Sequence, residues 1–170
     1  MNIVKSRSLN KTIDYNSATI ETSDGNIEIS LLREVAPLTV LNFIKYVKIG
    51  QYDNTIFHRV VKNFMIQGGE YFDDGNSRKP VFEPVPTECY NLIKNEKGSV
   101  AMARNKSIQS AKCQFFINAK HNKNLDGKYT VFARVNEGLD VVEKINKQET
   151  QKNSWPKSPT KINKIVLNKV

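Results

Sequence analysis

The most informative segment of the sequence is Phe57-His58-Arg59-Val60-Val61-Lys62-Asn63-Phe64-Met65-Ile66-Gln67-Gly68-Gly69-Glu70. Val60 and Val61 are β-branched, which favours a strand. Lys62-Asn63 marks a turn, and Gly68-Gly69 ends a second extended run. The pattern therefore predicts two short strands joined by a tight connection.

One cation, Arg59, lies in this stretch among uncharged side chains that include Phe57, Phe64 and Met65. A guanidinium beside aromatic and thioether groups is costly to leave without a partner. Gln67 is the candidate partner, because it can hold the guanidinium while part of the donor fork stays free. An apolar wall with one fixed multi-donor group suits a neutral peptide backbone better than a charged metabolite.

Composition indicates one domain of 170 residues with a formal charge of +9. The lysines are spread along the chain without a run or an aromatic-rich motif, so we expect a solvated surface and no specific nucleic-acid binding. The two cysteines, Cys89 and Cys113, form no C-x-x-C pair, and only two histidines accompany them. This argues against a metal site or a disulfide framework. We expect no cofactor.

The first residues, Met1–Ala18, are polar and contain Lys5, Arg7 and Lys11. They lack the apolar core of a secretory signal, and no apolar run in the chain approaches the roughly 20 residues of a membrane span. We expect an N-terminal arm over residues 1–17, no membrane association and a cytoplasmic monomer. A periplasmic location is the alternative if a signal peptide has been removed.

Several further elements follow from residue patterning. Alternating runs at Ala18–Thr22 and Ile27–Leu31 around an Asp-Gly turn predict a β-hairpin. Apolar residues at helical spacing predict a helix from Ala36-Pro37 to Gly50 and a second over Gly138–Lys147. The remaining predicted strands are Gly98–Ala103, Cys113–Ile117, Tyr129–Val135 and Lys161–Val170.

About eight short strands with two helices, and no βαβ alternation, predict a mainly β protein. We expect a closed eight-stranded antiparallel barrel capped by the two helices, since closure removes exposed strand edges. Periodicity alone does not separate this architecture from a sandwich.

Two groups of residues are candidates for chemistry. His58 is adjacent to Arg59 in a strand, so the two side chains should point to opposite faces, which favours a structural role for His58. No Gly-x-Ser-x-Gly or phosphate-binding loop is present. A second group, without a nucleophile, comprises Ala103, Gln114, Phe116, Leu125 and Tyr129. From the residues alone, Phe116 and Leu125 are better explained as ordinary core.

Ordered matches from about Ala18 to Val170 resemble the cyclophilins, the peptidyl-prolyl cis-trans isomerases, and the bacterial members most. They are Phe57–Val61, Phe64–Gly69, Gly98–Ala103, Gln114–Ile117, Leu125–Lys128 and Val131-Phe132. The resemblance implies one isomerase domain over residues 18–170, with a substrate groove on the outer face of the barrel. It implies action on X-Pro bonds of proline-containing peptides and unfolded proteins, as a folding helper. A proline-peptide binding module with incidental catalysis is the alternative.

The resemblance also implies roles for individual residues. Carried over by position, Arg59 is the catalytic arginine and Gln67 orients it. Phe64, Met65, Phe116 and Leu125 correspond to the proline pocket. Ala103, Arg104 and Gln114 correspond to the rest of the groove, and Tyr129 stands where many members have histidine.

Some positions depart from the family pattern. Asn124 replaces a tryptophan or another aromatic residue that helps many members to bind the cyclic peptide cyclosporin, so we expect weakened cyclosporin binding. Lys62-Asn63 replaces a common Pro-Gly. Arg104 either favours acidic or carbonyl-rich substrate flanks or is simply solvated.

Overall fold

The computed structural model describes residues 15–169, which form one antiparallel sheet and two α-helices. The strands are β1 Tyr15–Thr22, β2 Gly25–Leu31, β3 Thr55–Ile56, β4 Arg59–Val61, β5 Met65–Gly68, β6 Ser99–Met102, β7 Phe115–Asn118, β8 Val131–Glu137 and β9 Lys161–Lys169. The helices are α1 Pro37–Lys48 and α2 Leu139–Asn146, and Cys89–Asn91 and Lys123–Leu125 form single 3-10 turns. Neither α-helix has the length and apolar character of a membrane span.

The predicted elements correspond to those observed, with small differences at their ends. The predicted N-terminal arm is three residues too long, because residues 15–17 already belong to β1 and pair with β9 and β2. The remainder of that arm lies outside the described residues. The hairpin turn at Lys62-Asn63 is present, with Asn63 at a φ of 55°. Asparagine is one of the few residues that adopt this left-handed conformation readily, so it can replace glycine here.

The sheet differs from the predicted barrel in strand number and in closure. Nine strands, not eight, pair in the order β3-β9-β1-β2-β8-β6-β7-β5-β4 among the described residues. The hydrogen-bonded ladder ends at β3 on one side and at β4 on the other, so it is not closed by strand pairing. These two edge strands are consecutive in the chain and are joined by Phe57-His58. The chain itself therefore holds the two edges of the curled sheet together.

The main core fills the inner face of the sheet. Strand alternation sends Ile66, Val100 and Phe115 inward, where each is fully buried. From α1, Phe43 packs its ring 6.1 Å from that of Phe115 and 5.2 Å from that of Phe132, centroid to centroid. This packing holds α1 against the inner face of the sheet. The outer face of the same strands is not covered by α1.

Helix α2 begins at a glycine that no other residue can replace without strain. Gly138 has a φ of 90°, and a Cβ at this position would clash with the carbonyl oxygen of Asn26 and lie 2.9 Å from Cα of Ile27. The backbone of β2 therefore passes directly against the start of α2. That contact lets Val142 and Ile145 reach the main core.

We expect Gly138→Ala to lower the free energy of unfolding by about 3 kcal/mol, because steric overlap adds to the cost of a positive φ. Gly75→Ala is the matched control. Gly75 also has a positive φ, of 85°, but a Cβ there would meet nothing within 4 Å, so its cost should be about 1 kcal/mol. Urea denaturation measures both. Equal losses for the two variants would contradict the contact between β2 and α2.

Candidate active site

A row of side chains crosses five neighbouring strands on the outer face of the sheet. Arg59 on β4 pairs with Gln67 on β5, and Gln67 pairs with Phe116 on β7. Phe116 pairs with Ala101 on β6, which in turn pairs with Val131 on β8. Directly paired residues share a face and lie about 5 Å apart at Cβ. The row is therefore cationic at one end, polar next to it and apolar over the rest.

The apolar part of the row belongs to a second hydrophobic cluster, separate from the main core. Its buried members are Met65, Ala101, Phe116 and Val131. Partly buried side chains surround them: Leu32, Val61, Phe64, Ile93, Ala103, Leu125 and Tyr129. Because this cluster lies on the outer face and is only partly covered, it forms the floor of a surface groove.

The groove is a cavity of about 190 Å³ that gathers nine of the ten residues predicted from the sequence. Its lining consists of Arg59, Phe64, Met65, Gln67, Ala103, Arg104, Phe116, Leu125 and Tyr129. The tenth residue, Gln114, lines an adjoining cavity of about 280 Å³ that shares Ala103 and Arg104 with the first. The two segments that the sequence placed on opposite sides of one groove therefore meet.

The two apolar walls of the groove are tied together by one buried asparagine. Nδ2 of Asn122 donates a hydrogen bond of 2.8 Å to the carbonyl oxygen of Phe64. The backbone N–H of Leu125 donates to the carbonyl oxygen of Asn122 at 2.9 Å. Asn122 is 1% exposed, and a buried hydrogen bond of this kind is costly to break. It therefore sets the separation of Phe64 and Leu125.

At the polar end, a chain of side-chain hydrogen bonds leads away from Arg59. Nη1 of Arg59 donates to Oε1 of Gln67 at 3.3 Å, and Nε2 of Gln67 donates to Oε1 of Gln114 at 2.8 Å. Nε2 of Gln114 donates to Oε2 of Glu70 at 2.7 Å. Arg59 itself is exposed, so its charge is not desolvated as its apolar neighbours in the sequence suggested. Gln67 therefore contacts the guanidinium through a single N–H···O hydrogen bond.

The other arginine of the groove, Arg104, is held by Tyr129 and by the backbone of Lys128. Its guanidinium lies 4.4 Å from the ring centroid of Tyr129 and donates two hydrogen bonds to the carbonyl oxygen of Lys128. The ring of Tyr129 in turn meets the ring of Phe116 edge to face at 5.6 Å. Arg104 is thus fixed by Tyr129 and Lys128 and is not a freely solvated side chain.

Residues 17–167 match the family described as cyclophilin type peptidyl-prolyl cis-trans isomerase/CLD. The chain belongs to this family. It is 46% identical over 135 residues to peptidyl-prolyl cis-trans isomerase B of Escherichia coli strain K12, covering 75% of this chain and 82% of that one. It is 41% identical over 160 residues to a peptidyl-prolyl cis-trans isomerase of Acinetobacter baylyi, covering 89% and 85%.

The fold of this cyclophilin also matches solved structures. A Cryptosporidium parvum cyclophilin type peptidyl-prolyl cis-trans isomerase, crystallised in the presence of the dipeptide Ala-Pro, superposes with a TM-score of 0.77. The two proteins share 26% sequence identity, and the match covers 91% of this chain and 99% of the other. The curled antiparallel sheet with two helices is therefore the family fold. Among residues 15–169, no group of three or more side chains could hold a metal ion.

Some residues of the site were not found from the sequence. Ala101 and Val131 lie under the groove, and the alternation of their strands would have placed them on the face of Phe116. Glu70 at the end of the hydrogen-bond chain gave no such signal. It follows Gly69, whose φ of 115° turns the backbone out of β5, and its position depends on that turn.

His58 lies outside the groove, as its place next to Arg59 predicted. Its ring packs 4.7 Å from the ring of Tyr71 and 6.0 Å from that of Trp155, between centroids. Burial lowers the pKa of His58 from 6.5 to about 4, and the charge of Arg59 adds to this effect. The structure therefore holds His58 as a neutral packing group.

The lowered pKa of His58 predicts how the free energy of unfolding depends on pH. Between about pH 6.5 and 4 the unfolded chain binds a proton at His58 that the native state does not, so acidification through this window destabilises the fold. Above pH 6.5 both states hold His58 neutral, so the free energy of unfolding loses nothing through this group. Below pH 4 both states are protonated there, so further acidification causes no further loss. We expect the stability of His58→Phe to depend less steeply on pH between 6.5 and 4, measured by denaturant unfolding. A ring titration near 6.5 in the native protein, followed by NMR, would contradict the assignment.

Proposed function

We propose that Arg59 accelerates the rotation of X-Pro bonds by stabilising the twisted amide, with Gln67 holding the guanidinium in position. The observation that carries this proposal is the single row on the outer face. It places one multi-donor cation, held by Gln67, beside an apolar pocket. The groove is open at the surface, so an extended chain can enter from solvent.

The reaction suits this donor set. An amide resists rotation by about 18–20 kcal/mol because of its resonance. As the prolyl bond twists, that resonance is lost and the proline nitrogen gains a lone pair that can accept a hydrogen bond. A fixed N–H donor aimed at this nitrogen binds the twisted state better than either planar state, which is the condition for catalysis. No covalent bond breaks, so the rotation requires no nucleophile.

The required stabilisation is within reach of such a site. Uncatalysed isomerisation takes tens of seconds. Shortening it to about a millisecond requires roughly 10⁴- to 10⁵-fold acceleration, or about 6–7 kcal/mol of barrier. A charge-assisted hydrogen bond from Arg59 supplies part of this, and the apolar pocket strengthens it by excluding water around the proline ring.

Proline-containing segments of unfolded proteins are the substrates that this groove supports. Phe64, Met65, Phe116 and Leu125 offer an apolar pocket for the ring. Ala103, Arg104 and Gln114 line the adjoining cavity, where the chain that precedes the proline can lie. A role as a folding helper follows, because X-Pro bonds are exposed to a groove of this kind mainly before a protein has folded.

We expect Arg59→Ala to lower kcat/KM for a proline peptide by about 100-fold or more, the usual cost of losing one transition-state donor. Arg134→Ala is the matched control, since Arg134 is an exposed strand arginine on β8 that does not line the groove. It should keep full activity. A protease-coupled or refolding assay measures both. Full activity of Arg59→Ala would disprove the arginine mechanism.

We also expect weak inhibition by cyclosporin. Asn124 is exposed and has a small polar side chain, and it directly precedes Leu125, which lines the groove. Asn124→Trp should tighten cyclosporin binding by about tenfold, or about 1.4 kcal/mol, because an indole adds a large apolar contact. Lys123→Trp, in the same turn, is the control and should not. Inhibition of the unaltered protein as strong as that of Asn124→Trp would contradict the role given to Asn124.

A further inference from the structure

The hydrogen-bond chain that ends on Arg59 begins at a carboxylate. We propose that Glu70 is a positioning residue that fixes the orientation of two glutamine side chains and, through them, of Arg59. The inference rests on the proposed function of Arg59, and it adds a residue that does not contact the guanidinium and lines the adjoining cavity rather than the proline pocket.

Two glutamines in series do not by themselves define a direction. Each side-chain amide offers an oxygen acceptor at one position and an N–H donor at the other, and rotation by 180° exchanges them. If both Gln67 and Gln114 rotated, the hydrogen bond between them would persist with its direction reversed. Gln67 would then present its N–H₂ group to the N–H of Arg59, and two donors cannot bond. The reversed arrangement leaves Arg59 without its partner.

Glu70 removes this ambiguity because an ionised carboxylate can only accept. Its Oε2 lies 2.7 Å from Nε2 of Gln114, so the donor end of that amide must face Glu70. Oε1 of Gln114 is then turned to Gln67 and accepts from it at 2.8 Å. Gln67 is left with its oxygen toward Arg59. The acceptor-only carboxylate at one end and the donor-only guanidinium at the other thus select one direction for three successive hydrogen bonds.

The local backbone brings Glu70 to this position. A Cβ on Gly69 would lie 3.0 Å from the carbonyl oxygen of Cys113 and 3.2 Å from Cα of Gln114. Only glycine permits this approach, which carries the next residue alongside Gln114. Gly69 therefore both follows the end of β5 and brings Glu70 next to Gln114.

The surroundings keep the carboxylate available as an acceptor. None of the ion pairs found among residues 15–169 involves Glu70. The thiol of Cys113 lies 3.9 Å from Oε2 of Glu70. Burial, followed by the charge of Glu70, raises the pKa of Cys113 to about 12, so this thiol stays protonated and is a weak donor. It supports the carboxylate and does not compete with Gln114.

Two variants test whether the acceptor-only character of the Glu70 carboxylate is what orients Gln67. In Glu70→Gln the new amide can donate or accept, so both directions of the chain become accessible. In the swap Glu70→Gln/Gln114→Glu, the carboxylate moves one step closer to Arg59. It still accepts from Nε2 of Gln67, so the oxygen of Gln67 still faces the guanidinium.

The measurements are kcat and KM for a proline peptide by NMR exchange, the side-chain amide signals of Gln67, and urea unfolding. We expect Glu70→Gln to lower kcat about three- to tenfold with little change in KM, and to shift the Gln67 signals. The swap should return kcat to within about twofold and restore those signals. Its KM is expected to rise, since Gln114 lies in the groove. Arg59→Ala is measured alongside.

The outcomes separate two possible failures. If Arg59→Ala is inactive but Glu70→Gln keeps the kcat and the Gln67 signals of the unaltered protein, the role of Glu70 is disproved and the function of Arg59 stands. If Arg59→Ala keeps full activity, the proposed function itself fails. If Glu70→Gln loses kcat and the swap does not restore it, direction is not what Glu70 supplies, and the inference is equally overturned. Should Glu70→Gln prove too unstable, Glu70→Ala and Glu70→Ala/Gln114→Glu give the same decision, because the first removes the acceptor and the second returns a carboxylate that can only accept from Gln67.

Discussion

The pairing of β5 with β7 is the contact on which both halves of this molecule depend. It places Gln67 opposite Phe116 and Ile66 opposite Ile117. One pair therefore faces outward to the groove, and the other faces inward to the main core. Because side chains alternate strictly along a strand, a slip of one residue would exchange the two faces. The core and the groove are consequently fixed by the same register, and neither can be changed without the other.

The groove and the main core are built on the same strands, and this gives the groove a rigid base. The floor of the groove, with Met65 and Phe116 almost fully buried, is itself a hydrophobic cluster. Its order does not depend on a bound ligand, since the strands beneath it are held by Phe115, Ile117 and their neighbours in the main core. The groove is therefore formed before a substrate arrives, which lowers the ordering cost of binding. The asparagine link from Asn122 extends this order to the loop that carries Leu125.

The polar end of the row has a different kind of order. Shape alone cannot distinguish the two ends of a glutamine amide, because its nitrogen and oxygen are nearly equal in size. Direction must come from a group with one role only, and a carboxylate is such a group. A packing contact in the core selects one rotamer of a side chain. The contact of Glu70 with Gln114 selects one hydrogen-bond direction instead.

Much of the fold and most of the site could be predicted from local patterns. Val60 and Val61 with the Lys62-Asn63 turn define the β4–β5 hairpin, and helical spacing of Val40, Phe43 and Ile44 defines α1. Nine strands in place of eight were harder to predict, because β3 has two residues and carries no period of its own. Its existence depends on pairing with β9, which lies about a hundred residues away.

Local sequence patterns are enough to show which residues can form strands, which face of each is apolar, and which family pattern the chain follows. These are local properties, set by side-chain shape and by the two-residue period. Three features depend instead on the folded arrangement: the sheet ends at two edges joined by Phe57-His58, Arg59 is exposed, and Glu70 reaches Gln114. Each of these depends on how distant segments approach one another, and the approach at Gly69 exists only because a missing Cβ leaves room for it.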